Sequence, residues 1–82
     1  MSKISVICTL WDKKAKFFAS PFTSTNIDTA IRDFQNIVSN PKNSFYSHKE
    51  DYDLFEIASF NSDTGVIKPL PKPKFILNGE NI

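Results

Sequence analysis

The sequence predicts an α+β fold. It reads as a two-layer sandwich, an antiparallel β-β-α-β-β sheet with one helix on one face and an extended Pro/Lys-rich C-terminal tail. Three observations carry this. Residues 4–10 alternate with a period of two, residues 27–38 place their apolar side chains at helical spacing, and Pro69, Pro71 and Pro73 punctuate a lysine-bearing stretch near the end.

In the first segment Ile4, Val6, Cys8 and Leu10 alternate with Ser5, Ile7, Thr9 and Trp11, so a strand is expected with its even positions toward the core. Asp12-Lys13-Lys14-Ala15 is short and polar enough for a hairpin loop. Residues 16–20 resume the strand until Pro21 removes a ladder donor. Ile27, Ala30, Ile31, Phe34, Ile37 and Val38 then form one apolar helical face, opposite Asp28, Arg32, Asp33, Gln35, Asn36 and Ser39. Thr25 and Asp28 have capping-box spacing, and Asp28 with Arg32 makes a favourable i,i+4 pair. Asn40-Pro41 ends the helix, because proline disfavours helical geometry in the residue before it. The predicted helix covers residues 26–39.

Residues 41–51 read as a polar loop containing Phe45, Tyr46 and His48. Residues 52–60 read as a strand with Leu54, Ala58 and Phe60 on one face and Phe55 and Ile57 on the other. Apolar residues on both faces mark it as central or as part of an interface. Asn61-Ser62-Asp63-Thr64-Gly65 suits a type I turn closed by a left-handed glycine, leading into Val66-Ile67. Lys68-Pro69-Leu70-Pro71-Lys72-Pro73-Lys74 should be polyproline-II-like, Phe75-Ile76-Leu77 a short edge segment and residues 78–82 a loose end. The expected division is a single domain over 1–68 and an extended tail over 69–82.

Eighty-two residues bury only a thin core, which disulfides, metals or self-association commonly supplement. The lone Cys8 excludes an internal disulfide, and one histidine leaves no zinc cluster, so a homo-oligomer, most simply a dimer, is expected. Eleven aromatic residues, eight of them Phe, exceed what one helix can cover, and an apolar second sheet face would need a partner. Net charge is +1, which excludes a strongly basic nucleic-acid coat. Residues 1–25 nevertheless carry four lysines against Asp12, and residues 26–60 carry six acids against three bases. The N-terminal apolar stretch is too short for a signal peptide and no run has membrane-spanning length, so a cytosolic protein without membrane contact is expected.

Enzymatic patterns are lacking. His48 with Glu50, Asp51 and Asp53 is the one imidazole–carboxylate cluster, and it reads as a polar loop entering a strand. Cys8 on the core side of a strand behaves as a small hydrophobe. Two glycines make no phosphate-cradling loop. A non-enzymatic protein with no catalytic residues, metal site or cofactor is the expectation. One functional pattern stands out: Trp11, Lys13, Lys14, Lys16 and Phe17 interleave cations with rings on the first hairpin. Single-strand binders use that combination, cations tracking phosphates while rings stack on bases. Lys68, Lys72 and Lys74 would extend the path along the tail. A solvated lysine turn above core aromatics would have the same composition.

Asp12-Lys13-Lys14-Ala15, Ser20-Pro21-Phe22, Ala30-Ile31-Arg32-Asp33-Phe34, the run from His48 through Ile57 (HKEDYDLFEI), and Asp63-Thr64-Gly65 occur in an order and spacing that resemble the small nonstructural protein of gokushovirus-type single-stranded DNA phages, in the Microviridae. The resemblance spans roughly residues 4–67; Lys49 and Ala58 stand where that family commonly has Pro and Gly. It implies a protein of the infected bacterium's cytoplasm, absent from the mature virion, that serves viral single-stranded DNA synthesis or packaging. It transfers no catalytic residues. Two classes of action stay open: weak, sequence-independent binding of single-stranded DNA, and an adaptor acting on the replication initiator, the host replication apparatus or the procapsid.

Overall fold

The structure, a computed structural model, describes residues 3–80. Its elements are β1 (Ile4–Asp12), β2 (Phe17–Phe18), β3 (Phe22–Ser24), α1 (Ile27–Ser39), a 3₁₀ segment (Tyr46–Asp51), β4 (Tyr52–Asn61) and β5 (Val66–Asn78). The fold is α+β. A single antiparallel sheet runs β2-β1-β4-β5, with β3 joining β1 on the same edge as β2. The expected return arm of the first hairpin is thus two short strands, interrupted around Pro21, whose missing N–H cannot continue the ladder. Across the gap Ala19 N donates to the Leu10 carbonyl at 2.8 Å and the Thr9 hydroxyl to the Ala19 carbonyl at 2.6 Å.

The helix begins one residue later than expected, and its cap differs. Asn26 is the N-cap, its side-chain oxygen accepting from Thr29 N at 2.8 Å, in place of a Thr25–Asp28 box. Ala30, Phe34 and Val38 are buried on its inner face and join Cys8, Leu10 and Leu54 in one core. Val6, Phe22, Ile27, Ile31, Ile37, Phe45, Tyr52, Ile76 and Leu77 pack around it. Val6, Cys8 and Leu10 of β1 face the core, as the alternation predicts, whereas Ile4 is 48% exposed and lies beyond it. The polar loop before β4 holds a 3₁₀ segment, anchored by edge-on contact of Phe45 with Tyr52 at 4.6 Å.

Both hairpin turns share one construction. Asp12 Oδ1 accepts from Lys14 N and Ala15 N, and Asn61 Oδ1 accepts from Asp63 N and Thr64 N. Each turn then closes through a left-handed residue, Lys16 at φ 61° and Gly65 at φ 77°. The glycine is the expected one; the lysine carries a Cβ where glycine is preferred.

Two expectations are corrected. First, the C-terminal stretch is a strand. β5 runs unbroken past residue 68 and pairs with β4 from Asn61↔Val66 to Asp53↔Asn78. The prolines are accommodated because β5 is an edge strand and residues 70–73 bulge out opposite Ile57 alone. Residues 78–80 are also docked: Gly79 is buried and donates to the Tyr52 carbonyl at 2.9 Å, and the Asn78 amide donates to Asp53 Oδ1 at 2.7 Å. Residues 81–82 of the expected tail lie outside the described residues.

Second, alternation along β4 breaks at Ile57. Cys8 pairs with Glu56 and Ile7 with Ala58, so Ile57 is an extra residue in β4. Residues paired across a ladder share a face, so Phe60, opposite Ser5, lies on the face away from Leu54.

Candidate nucleic-acid interface

The sheet face opposite the helix collects the aromatic surplus. Trp11 of β1 is paired with Phe18 of β2, and Phe55 of β4 with Phe75 of β5. Their rings form a row across all four strands, with centroid separations of 4.8 Å for Trp11–Phe18, 5.6 Å for Phe18–Phe55 and 5.9 Å for Phe55–Phe75. Neighbouring rings are tilted or edge-on, at 54°, 87° and 79°, and not stacked on one another. Such contacts are worth about 0.5–1.5 kcal/mol each beyond area burial, enough to hold the rings in place. Phe18 and Phe75 remain 41% and 53% exposed, so the row offers apolar surface to a partner.

Cations stand at both ends. Beyond Trp11, the Lys13 ammonium lies 3.7 Å from Asp53 Oδ1, and Lys14 and Lys16 project from the exposed turn. Beyond Phe75, the bulge of β5 makes a shallow concavity of about 480 Å³ lined by Leu70, Pro71, Pro73, Phe75, Lys72 and Lys74. Asp53 is nearly buried and is satisfied by Asn78, so it ties the end of β5 to the first hairpin.

Among the residues expected to bind, the structure places Trp11 in the row, Lys13, Lys14 and Lys16 at one end and Lys72 in the bulge at the other, whereas Lys74 pairs with Glu56, which faces Cys8, and so lies on the helix face. Phe17 pairs with Asp12, one rung from the Trp11–Phe18 pair, and so points to the opposite face. Lys68 pairs with Ser59, which in turn faces Val6, about six rungs or roughly 20 Å along the sheet from the hairpin turn. Phe18, Phe55 and Phe75 are the row members missing from the sequence-derived set. The expected strand over residues 52–60, apolar on both faces, already put Phe55 on the second face, whereas nothing local separates Phe18 from Phe17. Phe75 depended on pairing the proline-rich stretch.

Other reactive groups have structural explanations. Burial first, and then the nearby Glu56 carboxylate, push the Cys8 thiol up to about 11, so it stays protonated and unreactive at neutral pH. Burial, the Asp12 and Asp51 carboxylates and a hydrogen bond to Asp12 hold Tyr52 above its usual value. His48, Glu50 and Asp51 bring ligand atoms within 4.8 Å of one another on the solvated 3₁₀ segment, and nothing further converges on them among the described residues. No helix among the described residues is long and apolar enough to cross a membrane.

The family model described as Phage ORF5 protein matches residues 5–82. The chain therefore belongs to the phage ORF5 protein family and is a phage protein. No curated protein and no solved structure matches it. The match extends past residue 67 to include the proline-rich stretch of β5.

Proposed function

We propose that this phage protein is a non-enzymatic accessory factor of gokushovirus type. It binds single-stranded DNA weakly and without sequence preference in the cytoplasm of the infected cell, in support of viral DNA synthesis or packaging, and stays out of the virion. The observation that carries the reading is the aromatic row of Trp11, Phe18, Phe55 and Phe75, with the hairpin lysines at one end and Lys72 at the other. Bases have π-faces whatever their sequence, so exposed rings bind them without discrimination while ammonium groups track the phosphates. A row about three ring spacings long accommodates two or three nucleotides, consistent with weak binding per protomer.

Fluorescence anisotropy of a labelled oligonucleotide, titrated at several salt concentrations, tests this. Phe75→Ala should weaken binding by about 1–3 kcal/mol, the worth of one stacked base. Lys13→Ala with Lys14→Ala should weaken all sequences alike and flatten the log K against log[salt] line by about 1.4, at ~0.7 per single-strand phosphate. No anisotropy change for the unaltered protein at tens of micromolar and about 50 mM salt, well within the non-specific range, would reject the proposal.

The alternative is an adaptor acting on the replication initiator, the host replication apparatus or the procapsid. Net charge of only +1 and the pairing of Lys13 with Asp53 favour it, since both lower the attraction for phosphate.

A further inference from the structure

On the helix face of the sheet the core reaches along β1 as far as Val6. The last rungs on this face are Val6↔Ser59↔Lys68 and Ile4↔Asn61↔Val66. There Ile4, Ser59, Asn61, Thr64, Val66 and Lys68 enclose a concavity of about 270 Å³. Its floor is apolar, since Ile4 and Val66 flank Asn61 and are each 48% exposed. Its polar groups all have hydrogens to give. The Lys68 ammonium and the Ser59 hydroxyl have no partner among the described residues. Asn61 Oδ1 is taken by Asp63 N and Thr64 N, which leaves the amide's NH₂ end to donate. Thr64 Oγ1 accepts from Val66 N at 3.3 Å, which leaves its hydroxyl hydrogen to donate. Among the described residues no carboxylate lines the concavity.

We infer that this concavity binds a small organic phosphate of nucleoside monophosphate size, its phosphate on Lys68 and Ser59 and its apolar body against Ile4 and Val66. Donor chemistry sets the sign of the ligand. An ammonium, two hydroxyls and an amide NH₂ around one hollow are matched by an acceptor-rich anion, and a phosphate offers several acceptor oxygens. Charge limits the ligand to one phosphate. Lys3 precedes Ile4, so alternation turns its side chain to the other face. Asp63 lies in the turn and Glu56 three residues down β4, opposite Lys74, and neither lines the hollow. A polyanion running through would meet Lys68 alone. Size agrees, because small-ligand sites start at about 300 Å³ and this one has room for a single such unit. The apolar floor favours a nucleotide over inorganic phosphate, which would leave Ile4 and Val66 uncovered. A free nucleotide and the phosphorylated 5′ end of a DNA strand both present this group. The hollow lies on the face opposite the aromatic row, so the inference does not rest on the DNA-binding proposal.

Amide NMR spectra of the full chain, titrated with thymidine 5′-monophosphate to about 5 mM, test this over the weak range that one cation supports. Saturable shifts should appear at the residues lining the concavity. Lys68→Ala should raise the Kd about tenfold or more, the worth of a charge-assisted hydrogen bond, with the rest of the spectrum unchanged, because Lys68 is exposed on an edge strand. Thymidine lacks the phosphate and inorganic phosphate lacks the apolar body, so each should bind at least about tenfold more weakly. Oligonucleotides with and without a 5′-phosphate identify the source. Shifts with the phosphorylated strand as well as the nucleotide assign the site to strand ends; shifts with the nucleotide alone assign it to free nucleotides, and both support the inference. No saturable shift at the concavity would overturn it, as would equal binding of thymidine or an unchanged Kd in Lys68→Ala. Shifts confined to Trp11, Phe55 and Phe75 would also overturn it and move the nucleotide to the aromatic row.

Discussion

Gly79→Ala is the sharpest probe of whether the C-terminal stretch belongs to the folded unit. A Cβ built on Gly79 falls far inside van der Waals contact with the Lys49 carbonyl oxygen and 3.0 Å from its carbonyl carbon. Both atoms are backbone, so no side-chain rotation relieves the clash; the end of β5 and the 3₁₀ segment must separate. Overpacking of this kind costs about 1–3 kcal/mol. Separation also strains the bond from Gly79 N to the Tyr52 carbonyl, worth about 0.5–1.5 kcal/mol. Together the loss should be about 2–4 kcal/mol, a large share of the roughly 4–12 kcal/mol expected for a chain of this length. At about 4–8 °C per kcal/mol for a domain of this size, Tm should fall by about 8 °C or more. Urea unfolding of the variant beside the unaltered protein reads the loss directly. Gly65→Ala is the internal control: no atom lies within 4 Å of its Cβ, so only the positive φ is penalised, at about 1–2 kcal/mol. If Gly79→Ala unfolds within about 0.5 kcal/mol of the unaltered protein, the range of an ordinary surface substitution, then β5 does not dock as described and the reasoning fails.

Two further outcomes follow from the turn and the core. Lys16→Gly should stabilise the first hairpin by up to about 1 kcal/mol, because glycine occupies φ 61° without the Cβ penalty; chemical denaturation checks it, and a destabilised variant would mean the lysine side chain matters to the turn. Cys8 gives a pH dependence. Its folded value is raised from 9.0 to about 11, so the fold favours the neutral thiol. The stability this contributes is complete below pH 9 and is lost as pH rises from 9 to 11, by at most about 2–3 kcal/mol. Cys8→Ala should remove the limb between pH 9 and 10 while leaving any limb above pH 10 that comes from the raised Tyr52. Thermal melts at pH 8, 9, 10 and 11 would show it, and an identical alkaline limb in Cys8→Ala would refute the assignment.

The elements whose side chains repeat with a simple period were legible before any coordinates. The 3.6-residue stripe of α1, the two-residue alternation of β1 and the Asx-to-glycine turn at 61–65 all depend on local chemistry, and local chemistry is what a sequence displays. The Thr25–Asp28 spacing misled because Asn26 is an equally good cap, and the choice between them depends on how the chain arrives from β3. The proline-rich stretch misled for a different reason. Pro69, Pro71 and Pro73 do exclude an inner strand, but they permit an edge strand with a bulge. Whether an edge is free to accept them is a property of the whole sheet.

The Ile57 bulge links the fold to the proposed functions. Without it, the period of β4 would carry Leu54, Ala58 and Phe60 on one face, toward the helix. With it, Phe60 turns away and joins Phe55 on the uncovered face. The bulge in β5 at residues 70–73 lies opposite the same residue and lets Phe75 and Ile67 keep to that face as well, through their pairs with Phe55 and Phe60. One inserted residue, matched by a longer excursion in the neighbouring strand, thus divides the apolar residues into two populations. One closes a core around Phe34 and Leu54. The other is left as a row of rings at one end of the sheet and as Phe60 and Ile67 at the other. Deleting Ile57 should remove the kink and leave Ala58 opposite Ile7 and Phe60 opposite Ser5, both on the face away from the helix, because only the extra residue is lost. DNA binding should therefore survive the deletion, since Phe55 and Phe75 keep their pairing; loss of binding in a folded variant would refute this geometry.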